Sequence, residues 1–98
     1  MITVYFANNN NWSKVYAYTW GGSKKTATWP GDAMTYVDTN QYNQAVYKIT
    51  ISADIKGIIF TNGTGNQTVD ITKVADGMGF YLSEGGSKCN VGTYTYGD

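Results

Sequence analysis

The sequence predicts an all-β fold, an antiparallel β-sandwich, and two observations predict it. Short segments in which apolar and polar residues alternate recur along the chain, and no 3.6-residue period is sustained. Clusters of Gly, Asn and Asp separate these segments at regular intervals. Seven or eight such strands within about a hundred residues are typical of a sandwich. We expect one domain over residues 1–98, since a chain of this length supports one core.

The predicted strands follow the alternation in chain order. The pattern is clearest at residues 2–7, 46–51 and 68–71, and further strands are predicted at 14–19, 33–37, 58–61, 79–82 and 93–96. The asparagine run at 8–11 and the pairs at 21–22, 62–63, 76–77 and 85–86 are predicted turns or loops.

The aromatic content is unusual for so short a chain. Leucine occurs once, at Leu82, whereas there are nine tyrosines and three tryptophans. A buried Tyr or Trp must find a partner for its O–H or N–H, so cores normally rely on Leu, Ile, Val and Phe. Some of these rings are therefore expected at a surface.

Charge and composition exclude several classes of function. Seven lysines balance seven acids and arginine is absent, so the chain lacks a phosphate-attracting charge and the usual reader of bases. Histidine is absent and Cys89 is alone, which removes the commonest general base and the usual zinc ligands. No apolar run reaches membrane-spanning length. We expect no nucleic-acid partner, no membrane partner, no metal and no cofactor.

One predicted strand carries an aromatic stripe. Parity places Tyr16, Tyr18 and Trp20 on one face, with Val15, Ala17 and Thr19 on the other. Side chains on one face of a strand recur every 6.6–6.8 Å or so, comparable with the length of a sugar residue. Parity alone does not decide which face is buried. The stripe either fills the core or forms an exposed apolar patch large enough to mark a binding site.

Trp29 precedes Pro30–Gly31, which is the signature of a type II turn with Trp29 in its first position. The residue before proline is also driven to an extended backbone. We interpret Trp29 as a ring presented on a stiff loop; the alternative is a tryptophan folded over the end of the sandwich. Flat rings suit a sugar because they remove its C–H face from water, while Asn, Gln, Thr and Lys side chains bond its hydroxyl rim.

These residues resemble the family 26 carbohydrate-binding modules, which are starch-binding, and share part of the pattern of the neighbouring family 25. The resemblance spans roughly residues 2–82, and the matching segments keep the family's order: residues 4–6, Trp12, 15–20, 29–34, 59–63 and 67–68. Tyr-Ala-Tyr followed by Trp-Pro-Gly is the most specific part.

The resemblance implies an immunoglobulin-like sandwich that binds α-glucan (starch, amylose and maltooligosaccharides) and catalyses nothing. It implies a binding surface made of Tyr16, Tyr18 and Trp29, with the stripe facing outward and with Lys25 and Gln67 as polar partners. Trp12 and Trp20 also match, and we interpret them as mainly structural. Such modules are monomeric parts of larger proteins, typically secreted bacterial amylases or surface starch-binding proteins, so the expected location is extracellular or on the bacterial surface.

Other functions remain to be weighed against this one. A glycoside hydrolase needs two carboxylates flanking a cleft; Glu84 is the only glutamate, and no pair of acids stands out. A module for another neutral glycan and an immunoglobulin-like spacer domain are the remaining alternatives. A flat row of rings would suit cellulose or chitin and a twisted one a helical α-1,4 chain, and the sequence does not fix that angle.

Overall fold

The computed structural model describes residues 1–97 as two five-stranded sheets packed face to face, without a helix in that range. This confirms the predicted sandwich, with ten strands instead of seven or eight. The strands are β1 (Ile2–Ala7), β2 (Tyr16–Trp20), β3 (Asp32–Ala33), β4 (Thr35–Thr39), β5 (Ala45–Ile51), β6 (Gly57–Thr61), β7 (Gln67–Thr68), β8 (Met78–Leu82), β9 (Lys88–Cys89) and β10 (Val91–Thr95).

The first sheet has the order β10-β8-β1-β5-β4 and the second the order β3-β2-β6-β7-β9. Most neighbours are antiparallel as predicted, but β1 pairs with β8 and β7 pairs with β9 in parallel. Both sheets are therefore mixed. The parallel partners are far apart in the chain, so no tight turn forces them to run in opposite directions.

The structure interrupts one predicted strand, shortens a second and adds a short strand that was not predicted. The predicted strand 33–37 is interrupted at Met34, whose side chain is buried; β3 pairs with β2 of the second sheet and β4 with β5 of the first. Of segment 68–71, only Thr68 remains in a strand, and Ile71 forms an isolated bridge to Ile58. The short β9 was not predicted, since it lies in a polar, glycine-rich segment.

Three phenylalanines join the sheets. Phe60 of β6 packs against Phe6 of β1 and Phe80 of β8, with ring centroids 5.0 and 5.3 Å apart, and all three are fully buried. Trp12 packs on Phe6 at 5.4 Å and is also buried, which makes it a core residue. This cluster takes the place that leucine fills in most small cores.

The core settles which face of β2 is inside. Ala17 lies directly opposite Phe60 in the ladder between β2 and β6, and residues directly opposite share a face. Ala17 is 0% exposed, and Val15 and Thr19 are buried with it. The aromatic stripe that alternates with these three residues consequently lies on the outer face of the second sheet.

We expect Ala17→Asp to unfold the domain. An unpaired carboxylate beside Phe60 would cost more than the roughly 5–15 kcal/mol by which domains are stable. Circular dichroism and thermal melts test this, with Ala33→Asp as the matched control, because Ala33 is exposed in neighbouring β3. A folded Ala17→Asp protein with an ordinary melting temperature would contradict the assignment of the faces.

Candidate functional site: an aromatic platform on the second sheet

Tyr18 is the centre of an aromatic cluster outside the second sheet. Its ring centroid is 6.2 Å from that of Trp20, at an interplanar angle of 29°. It is 5.3 Å from that of Trp29, at 66°. Together with Tyr16, on the same face of β2, these rings form what we call the aromatic platform.

Trp20 lies flat because of a glycine on the next strand. It is opposite Gly57 of β6, and a Cβ added to Gly57 would overlap the six-membered ring of the indole. The missing side chain thus makes room for the ring to lie across the strand. We interpreted Trp20 from the sequence as mainly structural, yet its contact with Tyr18 extends the platform. Strand parity, which already placed it on the face of Tyr18, was the signal for this.

The turn that carries Trp29 differs from the predicted type II turn. Gly31 N–H donates to the Thr28 carbonyl at 2.8 Å, so the turn begins at Thr28 and Trp29 takes its second position. The Trp29–Pro30 peptide is cis, which places Pro30 third, as in a type VI turn. The type II assignment assumed a trans bond with proline in the second position and was therefore wrong.

Gly31 holds this turn against β2. Its φ is +96°, in the region that glycine adopts at no steric cost. A Cβ at this position would collide with the carbonyl oxygen of Ala17 and lie 2.8 Å from the Cα of Tyr18. The close backbone approach places the neighbouring Trp29 beside Tyr18, where its side chain is 47% exposed.

Tyr16 contacts a different part of the surface. A Cβ on Gly63 would be 2.9 Å from Cε2 of Tyr16 and 3.8 Å from Cγ of Pro30, so this half-buried ring lies between two loops. The loop of Gly63 is held by the Thr61 hydroxyl, which donates to the Asn66 carbonyl at 2.8 Å. Among residues 1–97, no stacked or edge-on ring pair includes Tyr16, so it borders the platform without touching its other rings.

The two polar candidates occupy different surroundings. Gln67 lies opposite Thr61, which lies opposite Tyr16, so Gln67 faces outward on the same side, two strands and about 10 Å across. Lys25 is exposed on the loop between β2 and β3, next to Thr26. Thr26 exchanges hydrogen bonds with Thr19, its N–H donating at 3.1 Å and its hydroxyl accepting at 2.9 Å. The structure thus brings Tyr18 and Trp29 together, puts Tyr16 and Gln67 on the same face, and leaves Lys25 at the edge.

Asp54 fixes the start of the loop that carries Lys25. Its carboxylate accepts hydrogen bonds from Ser23 N–H at 3.0 Å and from the hydroxyls of Ser23 and Ser52. These bonds, the Ser23 hydroxyl foremost, hold the pKa of Asp54 well below its ordinary value of 3.8. Nothing in the sequence pattern pointed to this contact.

Residues 1–97 contain neither a cluster of metal-binding side chains nor a membrane-spanning helix. No three His, Cys, Asp or Glu side chains in that range lie together as a metal site would need. No helix there is long and apolar enough to cross a bilayer.

Comparison with known proteins gives three matches. The family model described as starch-binding module 26 matches residues 4–73. An alpha-amylase of Butyrivibrio fibrisolvens is 36% identical in an alignment of 90 residues, and the match covers 89% of this chain and 9% of the amylase. The crystal structure of CBMbc, of family CBM26, from Eubacterium rectale Amy13K in complex with maltoheptaose superposes with a TM-score of 0.57 at 19% identity. That match covers 99% of this chain and 49% of the other.

We expect Gly31→Ala to displace the Trp29 turn, because the new methyl group would collide with the backbone of β2. Gly65→Ala is the matched control, since Gly65 also has positive φ, +121°, but its Cβ would meet nothing within 4 Å. Gly31→Ala should lower the melting temperature more than the control does and should change the near-ultraviolet circular dichroism of the platform rings. Equal effects of the two changes would show that the close approach does not matter.

We expect Asp54 to make stability depend on acidity. Its folded-state pKa is depressed, so its contribution is present above the ordinary value of 3.8 and is lost as the pH falls below it. Melting temperatures between pH 5 and pH 2 should therefore fall less steeply for Asp54→Asn than for the wild type. Asp70→Asn, at an exposed aspartate on another loop, should keep the wild-type slope; a wild-type slope in Asp54→Asn would refute the proposed role.

Proposed function

The chain belongs to the family of starch-binding modules 26, and on that premise we propose that it binds α-1,4-glucan chains through the aromatic platform. Tyr16, Tyr18 and Trp29 are the principal contacts in this proposal, and Trp20 extends the surface they form. Membership in a family of binding modules makes the chain a non-catalytic module. The absence of a recognisable pair of acids is not needed for that conclusion.

The angle between the Tyr18 and Trp29 rings indicates which kind of glucan the platform binds. Their planes are inclined by 66°, so the two rings form a corner rather than a flat row. A chain of α-1,4-linked glucose curves, and successive residues turn their apolar faces in different directions. A β-1,4-linked chain such as cellulose is straight and suits coplanar rings. The inclined pair therefore favours starch over cellulose or chitin.

Polar groups around the platform supply the second half of sugar recognition. Gln67 reaches the outer face from β7, and its amide both donates and accepts hydrogen bonds. Lys25 offers an ammonium donor at the edge of β2. We assign both to the hydroxyl rim of the ligand. Because the sugar is uncharged, these bonds orient the chain, while burial of its C–H faces supplies most of the binding free energy.

The relatives suggest the setting in which this binding is used. The chain matches 9% of the length of the Butyrivibrio protein, which is named as an alpha-amylase. That protein is therefore much longer than the matched part. The Eubacterium neighbour holds maltoheptaose in its crystal structure. We propose that this module is a monomeric part of a larger protein, extracellular or on the bacterial surface, and keeps that protein on starch.

Trp29→Ala should weaken binding of maltoheptaose by about fivefold to 150-fold. Stacking of a flat ring on an aromatic side chain is worth about 1–3 kcal/mol for nucleic-acid bases, and we take the same scale for a sugar. Isothermal titration measures the effect; the wild type should bind in the 10–100 µM range or thereabouts, since an open surface covers only one side of a sugar.

The control for this measurement is Tyr36→Ala. Tyr36 is 53% exposed on β4 of the first sheet, away from the platform, so its loss should leave affinity unchanged. Cellohexaose in the same titration separates α- from β-linked glucans. Equal binding of both oligosaccharides, or full affinity in Trp29→Ala, would overturn the proposal.

A further inference from the structure

The outer face of the first sheet carries a groove on the side of the sandwich opposite the platform. Its volume is about 1120 Å³, large enough for a segment of oligosaccharide. The ladder places five residues in one row across the sheet, all on the outer face. Tyr81, Ala7, Val46 and Asp38 line the groove, and Gly92 continues the row onto the edge strand. With strands spaced by about 4.8 Å, the row is roughly 19 Å long.

Two tyrosine rings lie flat in this groove because each lies over a glycine of the next strand, as Trp20 does. A Cβ on Gly92 would overlap the ring of Tyr81, and a Cβ on Gly79 would overlap the ring of Tyr94. Each ring therefore covers the glycine directly opposite it in the ladder between β8 and β10. Tyr81 is 39% exposed, so part of its ring remains in contact with solvent.

Polar groups surround these rings. The Tyr96 ring stacks on Tyr5 at 3.9 Å and 5°, and its hydroxyl donates to the exposed Asp38 carboxylate at 3.3 Å. At the turn between β4 and β5, the amide oxygen of Gln44 accepts a bond from Asn40, which leaves the N–H groups of Gln44 to serve as donors. The groove thus combines ring faces with a carboxylate and an amide, the combination that sugar recognition needs.

The Tyr94 side chain also lines the groove, but its hydroxyl is closed to solvent. It is buried and has no hydrogen-bond partner within residues 1–97. Burial, and then the neighbouring Tyr96, Asp38 and Tyr5, raise its pKa to about 12. The hydroxyl is therefore protonated near neutral pH.

The charge of the groove selects against other ligands. Among the groove-lining residues that the structure describes, Asp38 is the only charged one and no lysine is present. A nucleic acid or other polyanion would meet a carboxylate without a compensating cation. A neutral ligand with many hydroxyls fits both the charge and the rings.

We propose that this tyrosine groove is a second binding site for a neutral α-glucan chain. The proposal rests on the proposed function for its ligand class, but on different residues and the opposite sheet. The shortest dimension of the domain is 20 Å and the two sites face away from each other, so one module would hold two glucan chains.

The test is a nitrogen-15 NMR titration with maltoheptaose in the Trp29→Ala background, which weakens the platform. The backbone amides of Gly79, Gly92 and Gln44 should shift in a saturable way. These shifts should be lost in Trp29→Ala/Tyr81→Ala and retained in Trp29→Ala/Tyr36→Ala. Trp29→Ala/Gly92→Ala is an independent probe, since its methyl group displaces the Tyr81 ring without removing it, and it should also lose the shifts.

Any other outcome of this titration counts against the proposal that the groove binds glucan. If the wild type shifts only around Tyr18 and Trp29 and the groove amides stay still, the groove proposal fails and the proposed function stands. Groove shifts that survive both Tyr81→Ala and Gly92→Ala would remove the tyrosine from the site and overturn the proposal. A wild type without shifts on either face would overturn both proposals.

Discussion

The burial of Phe60 between Phe6 and Phe80 decides which side chains each sheet presents to solvent. In a strand the side-chain period is two, so one buried residue fixes the direction of all its neighbours. Phe60 faces inward, and the ladder carries that choice to Ala17 and so turns Tyr16 and Tyr18 outward. In the first sheet, inward-facing Phe6 and Phe80 turn Tyr5 and Tyr81 outward in the same way. Both aromatic surfaces therefore depend on one core contact.

The position of Trp29 depends on a second constraint, the approach of one backbone to another. The orientation of β2 places the Tyr18 side chain on the outer surface, but it does not place Trp29 beside it. That requires the chain at Gly31 to pass over the carbonyl of Ala17 at a distance that only glycine permits. Core packing and backbone contact meet at Ala17, whose side chain faces Phe60 and whose carbonyl faces Gly31.

The sequence was sufficient for the parts of the structure that depend on local alternation. It predicted the sandwich and its main strands, and it reduced the orientation of β2 to two choices, of which the family resemblance selected the observed one. Its limits have physical causes. The turn at Thr28–Gly31 depends on a cis bond that the turn signature does not encode, and β9 is only two residues long. The binding roles of all five candidates stay predictions until binding is measured: Tyr16, Tyr18, Trp29, Lys25 and Gln67. The groove of the first sheet escaped sequence reasoning because Tyr81 lies on β8, far along the chain from the strands of Asp38 and Val46.

Three rings in this domain, Trp20, Tyr81 and Tyr94, rest on Gly57, Gly92 and Gly79 of the neighbouring strands. Each of these three rings thus depends on two residues, the one that supplies the ring and a glycine elsewhere in the chain. Duplication and drift can recruit a ring that lies flat across the next strand in this way only where a glycine already lies opposite, or by acquiring both changes together. To transplant such a ring onto another sandwich, a protein engineer must introduce two residues, the aromatic residue and the glycine opposite it.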